Sequence, residues 1–168
     1  VRYLFSETLT ERLEKLNKRY QVTMNSVIQT AWGLLLGNYN NTDDVVFGAV
    51  VSGRPAEIDG VENMVGLFIN TLPVRLGPNE NAGTFIETVQ RLQQRALDSE
   101  KYDYTSLAEV QAQTALKQNL IDHLFVFQNY PEVNDISGQS ENQDFQISNT
   151  QMFEHTNYSL SVTMHVQA

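Results

Sequence analysis

The chain contains no cysteine at all. That excludes a disulfide framework and any thiolate metal site, and it fits a reducing compartment. Positive charge is also scarce: 11 Lys and Arg stand against 20 Asp and Glu, for a net charge of −9. Binding a phosphate backbone needs clustered Lys and Arg, so nucleic acid is excluded as a partner. Charged residues make up only 18% of the chain and apolar residues 41%. This balance is far from the disordered class and supplies a core for one domain or lobe. Long apolar runs are missing too. The most apolar stretch, Ala31 to Leu36, falls well short of the roughly 18 residues of a membrane span. The first residues, Val1-Arg2-Tyr3-Leu4-Phe5, have neither an initiator methionine nor a signal-peptide layout, and they read as a chain entered in its middle.

Catalytic hardware is equally sparse. The three histidines, His123, His155 and His165, have no i, i+4 partner among themselves, so no helical metal pair exists. His123 opens an apolar strand and takes a hydrogen-bonded structural role. His165 alternates with an apolar face and is solvated, and His155 lies in a polar turn. No glycine-rich phosphate loop and no Gly-x-Ser-x-Gly elbow occur. The pair Asp43-Asp44 precedes a strand, where capping and solubility explain it. The expectation is no catalytic residue and no metal ligand within this chain.

What is present alternates between helix and strand signals. Val1 to Phe5 is a strand candidate. Thr8-Leu9-Thr10-Glu11 has the form of a capping box, followed by Leu9, Leu13, Leu16 and Tyr20 at helical spacing. A second helix is predicted over 24–39, with Val27, Ile28, Ala31, Trp32 and Leu35 on one broad face. The run Val45-Val46-Phe47-Gly48-Ala49-Val50-Val51 is continuously apolar, which predicts a strand covered on both faces. Ser52-Gly53-Arg54-Pro55 ends it, and 58–67 has room for a short helix. Phe68 to Leu76 reads as a strand in which Pro73 favours an edge or a bulge. Thr84 and Ser106 head two further capping boxes; the first opens a helix with Phe85, Val89, Leu92 and Ala96 inward. Leu124 to Tyr130 is a strand, 131–143 a polar loop, and 158–166 alternates as a half-buried strand. This order predicts an α/β (α+β, two-layer) fold, with helices packed on a mixed sheet. Leu9, Leu13, Leu16, Val27, Trp32, Val45, Phe47, Val89 and Leu92 are the expected core.

Val65-Gly66-Leu67-Phe68-Ile69-Asn70-Thr71-Leu72-Pro73-Val74-Arg75 resembles a motif of nonribosomal peptide synthetase condensation domains, Gly-x-Phe-x-Asn-Thr followed by Arg. The stretch Asp44 to Gly48 leading into Ser52-Gly53-Arg54-Pro55 is also similar to that family. Leu116 to His123 and Phe125-Val126-Phe127-Gln128-Asn129-Tyr130-Pro131 look like its closing motif, in a form typical of Gram-positive bacteria. Between these, the chain departs from the family's usual His-Gln-Asp-Tyr-Pro-Phe run: Ser99 replaces the histidine and Asp103 the proline.

The resemblance, which spans Leu4 to Val166, implies one lobe of a chloramphenicol acetyltransferase-like fold. Residues 1–168 would form the C-terminal lobe. The family's His-His-x-x-x-Asp-Gly motif belongs to the N-terminal lobe and is absent from this sequence. The implied reaction, in peptide antibiotic biosynthesis by a cytoplasmic multienzyme, is amide formation. An amine on a downstream peptidyl carrier protein attacks a thioester on an upstream one. No cofactor is bound directly; the carriers bring 4′-phosphopantetheine arms. The implied partners are the N-terminal lobe and the two carriers, without nucleic acid or membrane. Ser52, Gly53, Arg54, Gly66, Phe68, Asn70 and Thr71 are the candidates for the tunnel or interlobe surface. Each has a plainer structural role beside that one. Gly66 would serve close backbone approach or positive φ, Asn70 and Thr71 would bond backbone across the lobe interface, and Arg54 would pair with a carboxylate. Arg75 reads as a surface or interlobe ion pair. An epimerization lobe of the same superfamily and a non-catalytic scaffold module are the competing readings.

Overall fold

A computed structural model of the chain describes residues 1–54, 58–78, 83–128 and 156–165. Among these residues there are four α-helices and four strands: α1 (Glu7–Tyr20), α2 (Met24–Asn40), β1 (Val45–Val51), β2 (Asn70–Leu76), α3 (Phe85–Ser99), α4 (Leu107–Ala112), β3 (His123–Gln128) and β4 (Leu160–His165). The strands form one mixed sheet in the order β2-β1-β3-β4. β1 runs antiparallel to β2, while β3 is parallel to both β1 and β4. Parallel neighbours need a crossover rather than a hairpin, and the chain between β1 and β3 supplies β2, α3 and α4. Pro73 lies on β2, the edge strand of the sheet among the described residues, where proline is tolerated.

The core sits between the sheet and the α2–α3 layer. Phe47 and Phe125 meet edge to face, with ring centroids 6.3 Å apart, and Leu36, Val45, Leu76 and Leu92 close around them. A smaller cluster of Val22, Val27 and Val89 receives Leu13, Leu16 and Tyr20. Alternation along β1 places Val45, Phe47 and Ala49 in the core. On the other face Gly48 is buried, whereas Val46 and Val50 are half-buried. A Cβ on Gly48 would lie 2.9 Å from the Thr71 methyl and 3.0 Å from Ile121. The continuous apolarity of β1 thus reflects one fully covered face and one partly covered face.

Several expectations need correction. Val1 to Phe5 forms no strand; it is exposed. The first helix is capped by Ser6, whose hydroxyl accepts from Leu9 N–H, and Thr8 lies inside the helix. Leu9 is consequently exposed, at 39%. α1 has no fully buried residue, and Leu13 and Leu16, like Trp32, are only half-buried. In α2, Ala31 and Leu35 face solvent, and the buried positions are Ser26, Val27, Gln29, Thr30, Gly33 and Leu36. In α3, Phe85 and Ala96 are exposed while Val89 and Leu92 are buried. The stretch 58–67 holds only a 3-10 turn, Val61–Asn63. The expected loop 131–143, Asn129, Tyr130, His155 and Val166 lie outside the described residues.

Candidate functional site

The candidate residues gather where β1 ends and β2 begins. Because β1 and β2 are antiparallel, Val51 is opposite Asn70, and the chain from Ser52 to Ile69 is the connection between them. Gly53 has φ of 56°, in the left-handed region that favours glycine. A Cβ there would also collide with the Phe68 carbonyl oxygen. Gly66 does not have positive φ. Its close approach is to a side chain, since a Cβ would stand 3.2 Å from the Phe68 ring.

Arg54 closes this connection on itself. Its guanidinium donates to the carbonyls of Val61 and Met64, the latter through both Nη atoms at 3.2 Å. It also lies 4.1 Å from the centroid of the Phe68 ring. A planar cation with forked donors can satisfy carbonyls and stack on a ring at once, which an ammonium cannot. Instead of a carboxylate, then, Arg54 grips backbone and an aromatic face. The clasp turns apolar side chains outward: Val65 is fully exposed, Leu67 is 91% exposed, and Met64 and Ile69 are about half exposed. Such a group of large exposed apolar residues is unusual on an isolated surface.

Asn70 is half-buried at the head of β2. Its amide donates to the carbonyls of Asp103 and Thr105, both at 2.7 Å, and its Oδ1 accepts from the Thr71 N–H at 2.9 Å. Asn70 therefore bonds backbone, but within this chain rather than across an interface. Thr71 packs its methyl over Gly48. Ser52 is exposed, and Phe68 is half-buried beneath Arg54. Asp103 is pushed above the ordinary carboxylate range by burial and then by the negative charge of Glu100. At the other end of β2, Arg75 makes a two-pronged pair with Asp44, at 2.7 and 2.8 Å. Those hydrogen bonds, with the Arg75 charge, hold Asp44 below its usual range. Arg75 thus pairs with Asp44 at the surface of this chain, the first of the two roles expected for it. The turn at 99–105, which the sequence places where the family's His-Gln-Asp-Tyr-Pro-Phe run would stand, exposes Tyr102 and Tyr104; the sequence gives no sign of its hydrogen bonds to Asn70.

His123 is half-buried at the start of β3, and His165 is exposed on β4. Among the described residues, no group of three or more His, Cys, Asp and Glu could hold a metal ion. No helix among them is long and apolar enough to cross a membrane. The geometry offers a shaped, partly apolar surface and backbone clasps rather than an acid–base pair.

Comparison with known proteins agrees with this arrangement. The Condensation domain family matches residues 1–167. Gramicidin S synthase 2 of Brevibacillus brevis is 48% identical over 163 residues, covering 96% of this chain and 4% of that protein. Tyrocidine synthase 2 of Brevibacillus parabrevis is 48% identical over 164 residues, covering 96% of this chain and 4% of that one. The chain thus spans about 4% of the length of these curated relatives. Among solved structures, the condensation domain of the monacolin K polyketide synthase MokA superposes with a TM-score of 0.65 at 18% identity, over 80% of this chain and 32% of that one. Mixed sheet, helical layer, motif residues and relatives converge: this chain belongs to the condensation-domain family of nonribosomal peptide synthetases.

Proposed function

We propose that residues 1–168 form the C-terminal lobe of a condensation domain that joins two carrier-bound substrates through an amide bond. An amine on the downstream phosphopantetheine arm attacks the carbonyl carbon of the upstream thioester. The C–N bond forms, the C–S bond breaks, and the proton lost by nitrogen ends on the departing thiol. Tethering both reactants on arms aimed at one point supplies much of the rate through proximity. The proton transfer belongs to a histidine of the other lobe, since this sequence has no His-His pair.

The carrying observation is the joint surface built by residues 53–54 and 64–70. Gly53 and Arg54 fold the connection so that Val65, Leu67 and Ile69 face outward. A surface of that character suits a lobe that closes one wall of a tunnel. In this reading Ser52, Gly53, Arg54, Gly66, Phe68, Asn70 and Thr71 build the tunnel or interlobe wall. Carrier proteins dock at its openings, and the whole works in the cytoplasm.

The test is reconstitution with carriers loaded with amino acids. The polypeptide that carries this chain together with a His-His-x-x-x-Asp-Gly lobe is expected to release dipeptidyl carrier. Residues 1–168 alone are expected to give none above the uncatalysed background. Amide formation at enzymatic rate by residues 1–168 would sink this reading. A native polypeptide without any histidine-bearing lobe would favour the scaffold alternative instead.

A further inference from the structure

The two N–H groups of the Asn70 amide go to the carbonyls on either side of Tyr104, each at 2.7 Å. Its oxygen takes the Thr71 N–H, so donors and acceptor are all engaged. The turn it grips is braced internally as well: Asp103 N–H donates to Glu100 O at 3.0 Å, and Thr105 N–H to Tyr102 O at 2.8 Å. Tyr104 is 82% exposed, yet its backbone is pinned on both flanks. An exposed aromatic ring on a held backbone loses little freedom when something packs against it. On its other side Asn70 continues directly into Ile69, Phe68 and Leu67, the outward-facing connection under the Arg54 clasp. One amide therefore ties together two segments more than thirty residues apart.

We propose that Asn70 is a positioning residue for condensation: it acts on the reaction through the 103–105 turn and Tyr104, without touching substrate. The proposal rests on the condensation reading above. Asn70→Asp is the sharp variant. It keeps the shape and the acceptor for Thr71 N–H, but it replaces the donating nitrogen with an oxygen that faces two carbonyls. The protein to use is the native condensation-domain polypeptide containing this chain, with loaded carriers. Losing two hydrogen bonds of ordinary net strength predicts a fall in kcat/KM of roughly ten- to thirty-fold for N70D at pH 7.5. Measured relative to wild type, part of that loss should return once pH is low enough for the new carboxyl, with an ordinary pKa of about 3.9, to take up a proton and donate again. Asn70→Ala should fall as far and show no such recovery. Tyr104→Ala should also fall, and adding N70D to it should cost nothing more. Independently of activity, backbone amides at 103–105 should exchange with solvent about ten-fold faster in N70D. Wild-type exchange in that turn, or losses that multiply in the double variant, would each overturn the proposal. A wild-type polypeptide that forms no amide would instead sink the condensation reading, while the exchange measurement would still decide the clamp.

Discussion

Gly53 carries two separate demands at one position. Its φ of 56° disfavours any side chain, and the Phe68 carbonyl occupies the place a Cβ would take. Gly53→Ala should destabilise by about 1–3 kcal/mol, the ordinary cost of a forced backbone outlier, measured as a shift in the urea midpoint at unchanged slope. Asp103 tests the electrostatics nearby. Burial and then Glu100 raise its folded-state pKa above the unfolded value. The native state thus holds this proton more tightly than the unfolded chain does. That contribution is fully present below the unfolded pKa of about 3.9 and is lost as pH rises through the folded value. Asp103→Asn should accordingly raise the melting temperature slightly at pH 7, and the gain should vanish in acid. A larger gain at pH 4 than at pH 7 would contradict the assignment. The sequence motif points to these residues but not to how they are used. Gly66 is the expected site of unusual backbone, yet Gly53 holds it, because φ depends on how the connection is folded by Arg54. That clasp joins residues seven and ten positions apart through backbone carbonyls, which no side-chain pattern records.

At the scale of elements, local chemistry is readable where it depends on near neighbours. Thr84 and Glu87 form a complete capping box, with Thr84 N–H to Glu87 Oε2 at 2.7 Å and Glu87 N–H to Thr84 Oγ1 at 3.3 Å. Ser106 and Glu109 form another. Thr84→Ala should cost about 1 kcal/mol, visible in thermal or urea melts. Leu92→Ala, which opens a hole beneath Phe47, Phe125 and Leu76, should cost about 2–5 kcal/mol. The same local rule misleads at the first helix. Thr8 and Glu11 have capping-box spacing, but Ser6 stands two residues earlier and ends the extended chain first, so the helix is already under way at Thr8. Features set by tertiary contact are not legible in sequence. Gln93 on α3 accepts from Thr23 N–H at 2.7 Å and donates to Gln21 O at 3.1 Å, fastening the α1–α2 turn. A glutamine on a helix gives no sign of that role. Likewise Val1 to Phe5 has strand composition, yet composition cannot supply a neighbouring strand to pair with.

Across the whole molecule, the helical layer over a mixed sheet is implied by the alternation of periods, whereas the strand order is not. Nothing in the β3 sequence says that it inserts beside β1 rather than next to β2, its neighbour in chain order. The same limit applies to the outward surface. The residues Val65, Leu67 and Ile69 are apolar in sequence as core residues are, and only the folded connection shows that they face out. Tyr104 is 82% exposed on the turn that Asn70 fastens to the same end of the sheet. If this face closes against another lobe, that lobe binds only the native state and must stabilise it. At a concentration one hundred times Kd the gain is about 2.7 kcal/mol, or roughly 5–10 °C in Tm for a lobe of this size. Melts of residues 1–168 with and without the separately produced N-terminal lobe measure it directly, and the single tryptophan, half-buried Trp32 against the main core, reports unfolding by fluorescence. Leu67→Asp, placed on the exposed face and away from the core, should leave the melt of the lone lobe nearly unchanged while removing most of the gain from the partner. A partner that leaves the wild-type Tm unmoved at saturation, or that stabilises L67D as fully as wild type, would show that this face is not where the two lobes meet.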